Sequence, residues 1–447
     1  MYKSVKVSEF LHRVKVPAEL QPEQEYSLVT IKVHHKGVVL RNKTKGKLIG
    51  SKMYKISKGQ FILSGIDARN GAFGIVPDEL DGAIVTNDFW YFDIDETKVK
   101  RDFFYWLTNT PLFLNACIKS SQGVTQRIRL QAKLFFDFEF RFPPLEEQEN
   151  FLKRIQHADQ SLILLRVELQ KQERYISQLK QAILQEAIAG QLTAEWRDRH
   201  PMQKGNPDTD AAALLAKIKA EKRQLIADGK LKQEKPLPEI IPDKIPFSVP
   251  DSWVWCSLGN VGIFERGKSK HRPRNDGNLF KDGNIPFIQT GDVSSAKKSK
   301  GYITRCSQFY NEIGLAQSRL WSKDTLCITI AANIAETGFL GIDACFPDSI
   351  VGFTSLTNIS MSWMIKYYLF CVQDEIIKFA PATAQKNINL NIITSLLFPL
   401  PPLAEQKAIV EKVDYLMKII DQLQEQIKHR KQLAEDLMQT VLREAFE

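Results

Sequence analysis

The sequence predicts an α+β protein made twice over: a mixed domain and a long helix, then a second mixed domain and a second long helix. Three observations carry this. The hexapeptide "PPLEEQ" at residues 143–148 returns as "PPLAEQ" at residues 401–406, an offset of 258 positions. Behind each copy runs a seam of apolar residues spaced alternately four and three apart. Ahead of each copy lies a β-rich stretch followed by a helical one, in the same order. Self-similarity at a fixed offset marks a duplicated architecture and outranks local propensity. A chain of 447 residues also exceeds what one hydrophobic core holds.

Residues 1–142 read as the first domain. "KGQFILSGIDARNGAFGIV" and "LDGAIVTNDFWYFDI" are β-rich runs broken by Gly, Asn and Asp turns, and "RDFFYWLTNTPLFLNACIK" is helical. Residues 143–190 form the first long helix. Proline suits the first helical turn, where its missing N–H costs nothing. Glu146 and Glu147 put negative charge at the positive end of the helix dipole, as Glu405 does in the second copy. Gly190 supplies a C-terminal cap. The seam is Phe151, Ile155, Ala158, Leu162, Leu165, Leu169, Gln172, Ile176, Leu179 and Ile183. Residues 191–246 join the halves through a short helix ("DTDAAALLAKIKAEKRQLIADGK") and a Pro-rich extended linker ("KPLPEIIPDKIPFSVPDSW").

Residues 247–400 repeat the plan of the first domain. "TLCITIAANIAETGFLGIDACFPDSIVGFT" mirrors the strand region and "SWMIKYYLFCVQDEIIKFA" the helix. Residues 401–447 are the second long helix, with Ile409, Val413, Leu416, Ile420, Leu423, Ile427, Arg430, Ala434, Leu437 and Val441 on its seam. Such heptad spacing over more than about four heptads is a coiled-coil pattern. The one polar seam residue falls at the same register in each copy, Gln172 and Arg430, where it either fixes register and partner or marks a solvent-facing layer. Each helix of about 44 residues spans roughly 65 Å at 1.5 Å per residue. The two seams pack on each other, or each pairs with another protein.

Composition narrows the function. With 43% hydrophobic and 25% charged residues, the chain has the make-up of a soluble protein. No apolar run is long enough to cross a membrane, and "MYKSVKVSEF" has no apolar signal-peptide core. Six scattered cysteines without a C-x-x-C pair read as free thiols in a reducing cytoplasm. The seven histidines show no metal-ligand spacing. The net charge of +9 is uneven: residues 1–142 hold 22 Lys and Arg against 15 Asp and Glu, and residues 247–400 hold 15 against 12. Two basic blocks favour a polyanion partner such as nucleic acid.

No catalytic constellation emerges. "GIFERGKS", from Gly262 to Ser269, satisfies the P-loop pattern G-x-x-x-x-G-K-[ST]. That chemistry requires a helix after the loop, whose N-terminal amides hold phosphate. "KHRPRNDGNLF" follows instead, with Pro273 and an Asn-Asp-Gly turn. No amino-methylating Asn/Asp-Pro-Pro-Tyr/Phe motif and no Gly-x-Ser-x-Gly elbow is present, and "FDFEFRF" reads as an edge strand with outward charges.

Candidate DNA contacts follow from residue chemistry. Arg and Lys hold phosphates and read guanine, and Asn and Gln read adenine. In the first block these are Lys36, Arg41, Lys43, Lys45, Lys47, Arg69, Asn70, Gln126, Arg127 and Arg129. In the second they are Lys268, Lys270, His271, Arg272, Arg274, Lys297, Lys298, Lys300, Gln385, Lys386 and Asn387. The loops "GVTQRIRL" and "ATAQKNINL" occupy equivalent places, just before each long helix, where a turn orienting the helix entry is the other reading.

The order of "PPLEEQ", "AIAGQLTAEWR", "LLAKIKAEKRQLIADGKLK", "VPDSWVWCSLGNV" and "PPLAEQ" resembles the specificity subunit, HsdS, of type I restriction–modification systems, over almost the whole chain. "KMYKISKGQFILSGIDARNGAFGIVPDELDGAIVTNDFW" is similar to a first target-recognition domain of that family. The resemblance implies two pseudo-twofold-related target-recognition domains joined by two long antiparallel coiled-coil helices. Each domain would read half of a split DNA target. The helices would act as spacer and as docking platform for two methyltransferase subunits, with restriction subunits in the full complex. S-adenosylmethionine, ATP and Mg²⁺ would belong to those partners. Paired readers of this kind engage half-sites about 34–36 Å apart. The N-terminal domain lacks the Trp-rich opening of the second, so its first strands are expected to depart from the usual arrangement. A nucleotide hydrolase using Gly262 to Ser269, and a coiled-coil scaffold without DNA binding, are the competing readings.

Overall fold

The computed structural model describes residues 2–123, 128–379 and 387–446. The chain divides into two compact units: residues 1–172 with 426–447, and residues 173–425. Each therefore contains one α+β domain and a stretch of both long helices.

In the first unit the opening strand Lys3–Lys6 pairs antiparallel with Glu139–Phe142, Lys3 facing Phe142. That partner is the strand immediately before the Pro-Pro step. After a single helical turn, Leu11–Val14 becomes an edge of a four-stranded sheet, followed in order by Phe89–Ile94, Phe61–Ser64 and Phe73–Ile75. Phe61–Ser64 is buried along its whole length. The helices Arg101–Thr108 and Pro111–Lys119 contribute to the core beside it. Phe61 meets Phe104 edge-on at 4.9 Å, and Phe73 meets Phe113 likewise at 4.9 Å. Each such ring contributes about 1.5–3 kcal/mol by burial alone. A second, five-stranded sheet ends in the exposed hairpin Glu25–Ile31 and Val38–Lys45.

In the second unit Val254–Ser257 pairs with Leu397–Leu400, Val254 facing Leu400. Gly262–Arg266 then forms the edge of a five-stranded sheet, followed by Ile350–Ser355, Leu326–Thr329, Thr337–Leu340 and Tyr302–Ile303. The helix Ile359–Lys378 packs beside Ile350–Ser355.

The opening strands thus follow the same plan in both domains, against the expected departure. Pairing with the exit strand needs backbone groups and one inward side chain. Val5, 4% exposed between open neighbours, supplies it without tryptophan. The departure comes later, where residues after Val14 build the second sheet and its hairpin.

The long helices run Leu145–Ile188 and Leu403–Phe446, 44 residues each. Within the first unit Arg154 meets Glu444 at 2.7 Å and Arg430 donates to Gln172 at 3.2 Å, so the helices are antiparallel there. In the second unit Lys180 donates to Gln424 at 3.0 Å. The two polar seam residues are therefore partners of each other. The seam itself is half closed. Ile155, Leu162, Leu169, Ile176 and Ile183 are buried at every seventh position, as are Val413, Ile420, Ile427 and Ala434. The alternate layer is open in part: Leu179 is 46% exposed, Leu423 39% and Leu437 53%, whereas Ile409 is buried. Gly190 ends the first helix in a left-handed conformation (φ +75°), and a Cβ there would stand 2.8 Å from Pro250.

Candidate nucleic-acid interface

In the first unit the candidates form two groups. Arg41, Lys43 and Lys45 lie exposed on the edge strand Val38–Lys45. Arg41 is the extra residue of a bulge, since Leu28 faces Asn42 and Val29 faces Leu40. Lys47 follows in the turn Gly46–Leu48. Glu23 binds both Lys45 (3.1 Å) and Lys47 (2.9 Å), and the bonds from Lys47 and Lys45 hold its carboxyl below the usual range. The other group is drawn together by backbone bonds. His34 N at the hairpin tip donates to Asn70 O at 2.8 Å, placing exposed Lys36 beside the turn that carries Arg69 and Asn70. Asn70 is also tied to Asp67 at 3.1 Å. Leu130 N donates to Gly65 O at 2.8 Å, bringing Arg129 to the same turn, where it pairs with Asp88 at 3.1 Å. His35, behind the tip, packs on Phe73 at 5.0 Å. Burial holds its imidazole below the ordinary range, opposed by a hydrogen bond to the Thr108 backbone.

In the second unit Lys268, Lys270, His271, Arg272 and Arg274 share the loop after Gly262–Arg266. Arg274 grips Asp348 through two bonds of 2.7 and 2.8 Å, and His271 pairs with Asp276 at 2.8 Å. The Asn278 amide and then His271 keep the Asp276 carboxyl low. Lys268 and Lys270 are exposed. Lys297, Lys298 and Lys300 lie on or just after the turn Ala296–Ser299, with Lys297 bonded to Glu336. Asn387 bridges Ala331, and Ile388 N donates to Ile330 O at 2.9 Å. Leu130 and Ile388 are 258 positions apart and dock in the same way, each on the turn between the third and fourth strands of its sheet. Arg129 and Asn387, each just before them, therefore hold equivalent stations. Gln126, Arg127, Gln385 and Lys386 lie outside the described residues.

The P-loop pattern has no phosphate cradle. Gly262–Arg266 is a strand, Gly267 N donates to Ile350 O (2.9 Å) and Lys268 N to Phe346 O (3.1 Å). These two amides are taken up by backbone carbonyls, and a short 3₁₀ turn at Gly277–Leu279 is the next helical segment. Among the described residues no group of three or more His, Cys, Asp or Glu side chains is placed to hold a metal.

Sequence reasoning missed a cluster at the second helix start. Glu405 is fully buried and accepts from Thr193 Oγ1 (2.7 Å), Arg197 Nη1 (2.5 Å) and Trp253 Nε1 (2.7 Å). It also missed the task shared by the glutamines of the two hexapeptides. Gln148 donates to Pro143 O at 2.9 Å and Gln406 to Pro401 O at 2.9 Å. Gln148 further accepts from Lys100 N at 2.9 Å, fixing the entry of the helix Arg101–Thr108. Only the repetition of the glutamine itself signals this.

A family model for the type I restriction modification DNA specificity domain matches residues 6–173 and 250–430, each match spanning one domain and part of its long helix. The chain belongs to this family. Among curated relatives, the type I restriction enzyme EcoAI specificity subunit of Escherichia coli is 28% identical over 268 residues, covering 58% of this chain and 43% of that protein. The EcoBI specificity subunit of E. coli is 21% identical over 359 residues, covering 79% and 66%. The match thus spans under half the length of the first of these relatives. A chain from a structural study of complex assembly and conformational transition of the type I R-M system superposes with a TM-score of 0.70 at 17% identity, covering 100% of this chain and 97% of that one. The HsdS subunit from Thermoanaerobacter tengcongensis gives 0.59 at 17% identity, covering 100% and 96%. At such identity the likeness shows the fold: two specificity domains joined by a coiled coil.

Proposed function

We propose that this chain is the DNA sequence-specificity subunit of a type I restriction–modification complex. Each domain reads one half of a split target in double-stranded DNA. The paired helices set the spacing and dock two methyltransferase subunits, with restriction subunits completing the assembly. The chain is non-catalytic and works in the cytoplasm; S-adenosylmethionine, ATP and Mg²⁺ act in its partners. One observation carries the reading: Arg129 and Asn387 occupy equivalent stations in a duplicated domain, and each domain also carries groups of exposed basic side chains. A reader of two half-sites needs the same station twice with different side chains. The open seam layer at Leu179, Leu423 and Leu437 supports the docking role, because an apolar stripe of this kind is stabilised by further helices.

Methylome sequencing of a host with and without the gene tests the proposal. Loss of one split methylation motif is the expected result, and an unchanged methylome would sink it. The hydrolase reading predicts ATP binding lost in Lys268→Ala; no such binding is expected.

A further inference from the structure

In the second domain the turn on which Ile388 docks is residues 330–336, "IAANIAE". It carries no Lys or Arg, so a search for basic side chains passes over it. Its backbone is nevertheless unusual. Ala332 (φ 62°) and Ala335 (φ 59°) both lie in the left-handed region, which residues with a Cβ seldom occupy. Such strain persists only where the surroundings over-determine it. Here Thr329 Oγ1 donates to Asn333 O, Glu336 N donates to Thr329 Oγ1 at 3.1 Å, and Gln373 Nε2 donates to Ile334 O at 2.8 Å. Ile334 and Ala335 are buried, which leaves Ala332 and Asn333 as an exposed tip.

The Asn333 side chain is held as well. Ser294, on the helical turn Thr290–Ser295, gives its hydroxyl hydrogen to Thr290 O at 3.1 Å. Its oxygen can then only accept, and it does so from Asn333 Nδ2 at 2.9 Å. That bond fixes which end of the carboxamide faces the serine. One N–H of Nδ2 remains, and among the described residues Oδ1 has no donor. The same tip is tied to the lysine turn through the Lys297–Glu336 pair, beside exposed Lys298 and Lys300.

We propose that Asn333 reads one adenine of the half-site that belongs to the second domain. Its free N–H donates to adenine N7, and its Oδ1 accepts from the N6 amino group. A carboxamide offers a donor and an acceptor side by side, which matches the major-groove edge of adenine and not the two acceptors of guanine. Lys298 and Lys300 supply the neighbouring phosphate contacts, which position without specifying. Ser294 is a positioning residue that holds the amide in register. The equivalent turn of the first domain carries Arg69 and Asn70, so the same station offers different groups to the other half-site. The inference rests on the proposed function and names a reading residue within it.

The test uses the complex assembled with its methyltransferase subunits. Methylome sequencing compares hosts that carry the wild-type chain, Asn333→Ala or Ser294→Ala. Asn333→Ala is expected to relax one adenine position of one half-site and to leave the other half-site unchanged. In binding assays, replacing that adenine by a deaza analogue lacking N7 should weaken the wild type about tenfold and leave Asn333→Ala indifferent. Ser294→Ala should relax the same position to a smaller degree. A thermal scan of each variant separates this from loss of fold, and a shifted melting temperature without a changed base preference would remove the reading role. A split motif that Asn333→Ala leaves intact, or relaxation in both half-sites, overturns this inference alone. A wild-type complex that methylates no split motif overturns the proposed function with it.

Discussion

Trp253 Nε1 donates to the buried Glu405 carboxylate at 2.7 Å, joining the first residues of the second domain to the start of the helix that follows it, 152 positions later. Arg197, from the segment after the first helix, completes the pair. Removing one partner of a buried, hydrogen-bonded ion pair leaves an uncompensated charge and costs about 3–5 kcal/mol. Arg197→Met should therefore destabilise the second unit by roughly that amount. Trp253→Phe should cost about 1–3 kcal/mol, the price of one lost bond to a buried acceptor. Urea unfolding followed in each variant measures both, and near-wild-type midpoints would refute the role given to the cluster.

Gln148 is the corresponding clamp in the first unit. Gln148→Ala leaves the Lys100 amide and the Pro143 carbonyl without their partner. A loss of about 1–3 kcal/mol is expected. Hydrogen exchange should accelerate first across Arg101–Thr108, whose entry the glutamine holds. Exchange that rises uniformly over the chain would contradict this.

Glu23 neutralises Lys45 and Lys47 on the exposed hairpin. Glu23→Gln frees positive charge without altering the core. DNA binding by the assembled complex should tighten at low salt, and its salt dependence should steepen by about 0.9 in log–log slope. Arg129→Ala is the contrasting variant, expected to weaken recognition of one half-site and leave the other unchanged. Binding to targets with each half-site scrambled separates the two effects.

Lys366 lies in the helix Ile359–Lys378 against Trp363 and Phe339, its ammonium 3.3 Å from Thr337 O. Burial, with Lys297 adding repulsion, pushes its pKa down to about 8. The folded state then binds fewer protons than the unfolded one between pH 8 and the ordinary lysine value, so stability should rise with pH across that window. Lys366→Met should flatten this rise and stabilise the protein at pH 7, by on the order of 3 kcal/mol at most. A pH series of melting temperatures for both proteins checks slope and sign.

The duplicated plan was legible because periodicity over a long helix is a strong signal, and both helices begin beside their Pro-Pro steps. The antiparallel pairing of Gln172 with Arg430 was half legible: the shared register showed, the direct bond did not. Residues such as Leu179 and Leu437 sit on the seam pattern yet remain open, because spacing reports which face is apolar and not how many neighbours cover it. The Glu405 cluster was invisible for a different reason. Its partners lie 152, 208 and 212 positions away, and its twin Glu147 has the same local sequence in an open setting. The spread of the basic candidates over separate turns likewise reflects tertiary contacts such as His34 with Asn70.

Lys3 faces Phe142 and Val254 faces Leu400, so each domain's way in and way out are neighbouring strands. A domain closed in this manner is a cassette with both connectors on one side. Recombination with crossovers in the segments encoding those two strands would exchange a whole domain and leave the helices in frame. The nearly identical hexapeptides at both exits supply the matching ends, and under the proposed function such an exchange would change one half of the target while the helices that space it stay as they are.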